Sequence, residues 1–176
     1  GDLVTLSGNA TFVELFTNVI DSLAGVKQFV FDDKRFTMKD LISAVCNDWQ
    51  GYENMRTLVV KQGKFFGNDD ANSNYVAKLF YDTLYAYVKE KKTVFGYPVL
   101  MGDHTGYPLH FKWFGQATKA TPDGRFAGEP LSYGIFQRDG RDRNGLTALM
   151  NSIAKFDGKL SEYANSVYTI AQNIDY

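Results

Sequence analysis

A chain of 176 residues, 44% hydrophobic and 22% charged, is long and apolar enough for one medium domain with its own core. Its 19 basic and 20 acidic residues are mixed along the sequence for a net charge of −1, which leaves no basic field for nucleic acid, and no apolar run is long enough to cross a bilayer. A single cysteine, Cys46, excludes an internal disulfide and fits a reducing compartment. The first residues lack a charged stretch followed by an apolar one, so no signal peptide is expected.

Apolar residues from Phe12 through Ile20 and Leu23 to Val30 recur at helical spacing, with Asn9 or Thr11 as candidate caps. Gly25 inside that pattern predicts a close packing neighbour. Thr37-x-x-Asp40 resembles a capping box and opens a helix whose apolar face is Leu41, Ile42, Val45 and Trp49, with Gly51 as its stop. Residues 53–60 predict a short helix. Gly67-Asn68-Asp69-Asp70 predicts a turn that caps a longer helix over residues 71–91, with Lys89, Lys91 and Lys92 at its negative end. Residues 94–101 are β-rich but interrupted by Gly96 and Pro98. Leu109, Phe111 and Trp113 alternate with His110, Lys112 and Phe114 and predict a strand. Residues 115–143 form a long glycine-rich loop region, and residues 146–154 a short helix. Val167 to Ile170 predict a final strand, with a helix over residues 161–171 as the alternative. The fold class expected is α/β, a helix-rich N-terminal half followed by short strands.

On physical grounds alone, Thr121-Pro122-Asp123-Gly124 is a turn and Arg125 a surface charge beside it, placed to anchor the loop to its surroundings. His104 and His110 have no cysteine or glutamate cluster to complete a metal site. Asp32-Asp33 and Asp69-Asp70 are expected to cap helices. Cys46 lies in an amphipathic helix and is expected to be a small, partly buried residue.

The order of the motifs adds to this. Asp21-Ser22-Leu23-Ala24 and Val30-Phe31-Asp32-Asp33 come first, then Gln50-Gly51-Tyr52-Glu53 and Phe66-Gly67-Asn68-Asp69-Asp70. Ala120-Thr121-Pro122-Asp123-Gly124-Arg125, Gly128-Glu129-Pro130-Leu131, Gly140-Arg141-Asp142 and Asn151-Ser152-x-Ala154-Lys155 follow in sequence. This ordered set resembles the late core of the glycyl radical enzymes, the family of pyruvate formate-lyase and the radical diol dehydratases. The resemblance spans residues 23–157. Leu146 stands where the family favours proline or alanine, and Ile135-Phe136-Gln137-Arg138 is unusual where many members have a Ser-Pro pair.

The resemblance implies one domain or domain fragment over residues 1–176, a partial segment of a ten-stranded α/β barrel. It implies an intact anaerobic cytoplasmic lyase or dehydratase acting on a small organic substrate. In such enzymes an activating enzyme with an iron–sulfur cluster and S-adenosylmethionine installs a radical on a glycine, which passes to a cysteine and then to substrate. Neither a Gly-Cys-x-Glu-like loop nor an Arg-Val-x-Gly-Tyr loop occurs here, so no catalytic residue and no cofactor is expected in this chain. Thr121, Pro122, Asp123, Gly124, Arg125, Gly128, Glu129 and Pro130 are the family-motif residues, expected in a structural or substrate loop. The expected partners are the remainder of the enzyme or a complementary chain, the activating enzyme, and a second copy through exposed apolar surface. A non-catalytic scaffold built from such a segment is the alternative.

Overall fold

The computed structural model describes residues 10–13, 16–96, 99–103, 109–132, 137–141 and 143–155. The last expected element, over residues 161–171, lies outside them, as do Asn9, His104, residues 133–136 and Asp142.

The N-terminal pattern read as one helix is a strand followed by a helix. Ala10–Val13 (β1) pairs in parallel with Leu100–Asp103 (β2), Ala10 against Leu100 and Val13 against Asp103. Thr11, Phe12 and Val13 are β-formers, and a partner strand outweighs the helical spacing. Thr11 therefore lies within a strand and not at a helix start. The helix is Thr17–Val26 (α1), whose N-cap Phe16 makes no side-chain cap bond, and it runs on as a π-helical segment, Lys27–Asp32. Asp32 and Asp33 thus sit at a helix end, not before a start. Asp32 pairs with Lys27, and Asp33 accepts from Gln28 Nε2 at 3.3 Å.

Met38–Cys46 (α2) opens with the expected capping box. Asp40 N donates to Thr37 Oγ1 at 3.1 Å, and Thr37 N donates to Asp40 Oδ2 at 3.2 Å. The bonds from Thr37, side chain first and backbone second, hold the Asp40 carboxyl below its usual range. Thr37→Ala is expected to cost about 1 kcal/mol of stability. A urea midpoint identical to wild type would contradict this. The helix ends earlier than Gly51, and Cys46 at its last position is exposed, not partly buried.

Glu53–Gln62 (α3) and Ala71–Val88 (α4) follow, the latter capped by Asp70, whose carboxylate accepts from Asn72 N at 2.8 Å. Residues 93–96 make a turn closed by Gly96 N donating to Thr93 O at 2.9 Å. The strand expected around Leu109 is a helix, His110–Ala117 (α5). Its alternating aromatics also satisfy i,i+4 spacing: Trp113 N donates to Leu109 O at 3.0 Å, and the His110 and Phe114 rings meet edge-on at 5.6 Å. A six-residue window cannot separate the two periods. Gly145–Ala154 (α6) is the last described helix.

Two buried apolar clusters lie within this helix-rich body. Phe16, Ile20, Ala24, Phe66, Val76, Ala77 and Tyr81 join α1 to α4. Phe29, Leu41, Ala44, Trp49, Val59, Phe65 and Ala120 join the π-helical segment, α2 and α3 to the glycine-rich loop. Phe65 and Phe66 are neighbours in sequence yet enter different clusters, so the stretch between α3 and α4 stitches the two together. No helix among the described residues is long and apolar enough to cross a membrane.

Candidate functional site

The loop that carries the sequence motif is closed by its own residues. Gly124 N donates to Thr121 O at 3.0 Å, and Thr121 N donates to Arg125 O at 3.1 Å. Thr121 Oγ1 also donates to Asp123 Oδ1. Gly124 has φ of 89°, and a β-carbon there would lie 2.6 Å from Val60 Cγ2, so the turn needs glycine on both counts. Arg125 is fully buried, and its guanidinium donates to backbone carbonyls: Glu129 O at 2.6 Å, Lys119 O at 2.6 Å and Thr118 O at 3.0 Å. It ties both ends of the loop to one fork of donors. Glu129 accepts from Phe126 N at 3.0 Å and from Arg138. Gly128 and Pro130 lie exposed at the outer turn. α5 meets this turn at Gly115, where a β-carbon would stand 2.4 Å from Glu129 O.

The helices hold the closed loop from several sides. Arg56 on α3 donates from Nε to Gly124 O at 2.8 Å and stacks 3.7 Å from the Phe126 ring centroid. Trp49 Nε1 donates to Arg125 O at 3.3 Å, and Asp48 accepts from Ala127 N at 2.7 Å. Both Asp48 and Trp49 take positive φ, 53° and 62°, which bulky residues adopt only when surrounding contacts over-determine them. Gly25 packs 3.5 Å (by its absent β-carbon) from Pro122 O, the close neighbour its place in α1 predicted.

A buried chain of charge runs behind the loop. Arg141 donates to Asp123 O at 2.6 Å and lies 3.1 Å from Asp123 Oδ2, an ion pair outside hydrogen-bond geometry. Its other nitrogen donates to Asp21 Oδ2 at 3.3 Å, and its plane lies over Phe65 at 3.8 Å. Asp21 on α1 also accepts from Phe66 N at 2.8 Å. Burial pushes the Asp21 carboxyl up to about 7, against the pull of Arg141, and the Asp123 charge adds to the rise. Burial likewise lowers the Arg141 and Arg125 guanidinium groups, opposed most by Asp123.

This arrangement predicts a pH dependence. With Asp21 raised in the fold, the folded chain keeps a proton that the unfolded chain releases near pH 4. Stability is therefore lost as pH rises from about 4 through about 7, by at most about 1.4 kcal/mol per pH unit. Asp21→Asn cannot ionise, so its stability should change less between pH 5 and pH 8 than that of the wild type. Parallel curves for the two proteins would remove the buried-acid account.

The remaining motifs meet beside this chain. Asn68 Oδ1 accepts from Arg143 N at 2.9 Å and Asn144 N at 3.2 Å, while its Nδ2 donates to Arg141 O at 2.7 Å. Arg143 donates to Lys61 O at 2.9 Å and to Val60 O, completing carbonyls at the end of α3. Asp69 N donates to Ser152 Oγ at 2.9 Å, and the Asp69 carboxylate accepts from Asn151 Nδ2 at 3.1 Å and from Lys155. Those partners, Lys155 first, hold the Asp69 carboxyl below its usual range.

The motifs around Asp21, Asn68-Asp69, Thr121–Glu129, Arg141 and Asn151–Lys155 thus meet in one polar clasp, whereas Asp32, Asp33 and Glu53 make local contacts. Most of the named side chains spend their donors and acceptors on backbone groups of the same chain. No group of His, Cys, Asp and Glu among the described residues could hold a metal ion. His110 lies among the Trp113 and Phe114 rings. Sequence reasoning missed Asp48, Arg56 and Arg138 as partners of the loop, and placed Trp49 on a helix face. Only the proximity of Arg138 to the Gly140-Arg141 motif was available as a signal.

A family model described as pyruvate formate lyase-like matches residues 9–104. A trans-4-hydroxy-L-proline dehydratase of Clostridioides difficile is 36% identical over 141 residues, 79% of this chain and 17% of that protein. An isethionate sulfite-lyase of Oleidesulfovibrio alaskensis is 32% identical over 142 residues, 78% of this chain and 16% of its own. The crystal structure of the Clostridioides difficile hydroxyproline dehydratase with its substrate superposes with a TM-score of 0.79 at 31% identity, over 85% of this chain and 19% of that one. The chain therefore spans about a sixth of the length of the curated relatives it matches. The chain belongs to the pyruvate formate lyase-like family of glycyl radical enzymes.

Proposed function

We propose that these residues are a structural segment of a glycyl radical lyase or dehydratase that acts on a small organic substrate, and that the segment alone does not turn over substrate. The carrying observation is the clasp. Motifs from Asp21 to Lys155 converge on one another, and Arg125 and Arg141 are spent on carbonyls and buried carboxylates. A loop whose buried arginines are so occupied is suited to build a wall. In this reading Thr121, Pro122, Asp123, Gly124, Arg125, Gly128, Glu129 and Pro130 shape one side of an α/β barrel. The radical glycine and the reactive cysteine belong to flanking polypeptide. The iron–sulfur cluster and S-adenosylmethionine belong to a separate activating enzyme, and nothing in the clasp fits either group.

Intact mass and sequencing of the natural polypeptide test this. The reading expects one anaerobic, cytoplasmic chain with a Gly-Cys-x-Glu-like loop before these residues and an Arg-Val-x-Gly-Tyr loop after them. A natural product of about this chain's mass, 19.8 kDa, with neither loop in a companion chain, would overturn it.

A further inference from the structure

A groove of about 670 Å³ opens between α1 with its π-helical extension and α4. Leu23 and Phe31 form one wall, and Tyr75, Leu79 and Tyr87 the other. Each of these side chains is about half exposed or more, from 47% at Leu23 to 64% at Tyr87. The floor is Val76, Phe80 and Leu84, which belong to or pack against the α1–α4 core cluster, so the groove is an open side of the core. Besides the Tyr75 and Tyr87 hydroxyls, its polar side chains are already spent. Lys27 pairs with Asp32 at 2.5 Å, and Thr83 Oγ1 donates to Leu79 O at 2.7 Å.

We infer that this groove seats an apolar-faced helix supplied by the polypeptide that flanks these residues in the full-length protein. The inference rests on the segment reading above. Three observations favour that occupant. First, the matched relatives are about six times as long as the matched stretch, so most of such a chain lies outside it. Second, a groove with so few unspent polar groups cannot satisfy the backbone of a loop or strand, whereas a helix satisfies its own. The four-residue steps along α4 from Tyr75 to Leu79, and from Val76 through Phe80 to Leu84, are the ridges into which a third helix packs. Third, a two-fold pair of copies would bring one concave surface against itself, and two hollows do not fill each other.

The test is maleimide labelling of Leu79→Cys in the full-length protein, read by peptide mass spectrometry, native against unfolded, at high and low protein concentration. Hydroxyl-radical footprinting of Tyr75 and Tyr87 in the unmutated protein gives the same reading if the variant fails to fold. A covered groove labels roughly 100-fold more slowly in the native protein at both concentrations. Protection lost on dilution assigns the groove to a second copy and overturns the inference. Fast labelling within a longer native polypeptide overturns the inference alone. A natural chain ending at these residues overturns it together with the segment reading.

Discussion

Arg141→Ala is expected to lower the unfolding free energy by about 3–5 kcal/mol at pH 8, the range for removing one partner of a buried ion pair. The Arg141 guanidinium is the cation that reaches both Asp21 and Asp123, and all three side chains are buried. Without it, Asp21 keeps the backbone bond from Phe66 N and the weaker pull of the Arg138 charge, while Asp123 keeps Arg138 at 3.9 Å. The loss should shrink at pH 5, where Asp21, pushed up to about 7, is protonated in the fold and needs no cation. Adding Asp21→Asn to Arg141→Ala should recover part of the loss, and a double-mutant cycle measures the coupling. Urea unfolding at both pH values reads these effects. An equal loss at pH 5 and pH 8 would show that the Arg141–Asp21 contact is not what the substitution removes.

Arg125→Lys is expected to cost about 2 kcal/mol, although it keeps the charge, because a poorly solvated acceptor left unmet costs about 1–3 kcal/mol. The buried guanidinium serves the carbonyls of Thr118, Lys119 and Glu129, and of these Thr118 O alone keeps a second donor among the described residues, Gly128 N at 3.2 Å. An ammonium group is a point donor and cannot reproduce the planar fork. The damage should spread to the docking of α5, because Gly115 packs against Glu129 O. Hydrogen exchange should therefore quicken across residues 110–131 before it does in α4. A change within about 0.5 kcal/mol, the range of an ordinary surface substitution, would mean that Arg125 does not hold the loop.

The sequence was most legible where local chemistry decides the outcome. The Thr37 box, the Asp70 cap and α3, α4 and α6 follow from side chains a few residues apart. It misled where a distant partner decides. β1 exists because Leu100–Asp103 lies beside it, ninety positions on, and no periodicity near Thr11 carries that information. α5 was misread because its aromatics fit two periods at once. Trp49 sat well on the α2 helical face, yet the structure holds it in a left-handed turn so that its indole meets Arg125 O. For the clasp, the ordered motifs named members but, Arg125 apart, not their roles. Arg125 reads as a charge that anchors its turn, and burial against three carbonyls is how it does so. Asp21 and Arg141 are 120 positions apart, so their pairing could be seen only in the fold.

The central claim is that this chain is a wall segment of a glycyl radical enzyme. Electron paramagnetic resonance of the full-length protein, after anaerobic incubation with an S-adenosylmethionine-dependent activating enzyme, tests it most directly. The account predicts a glycine-centred radical signal that oxygen abolishes, and no such signal from these 176 residues alone. A full-length protein that stays silent after activation, under conditions in which a known relative gives the signal, would contradict it.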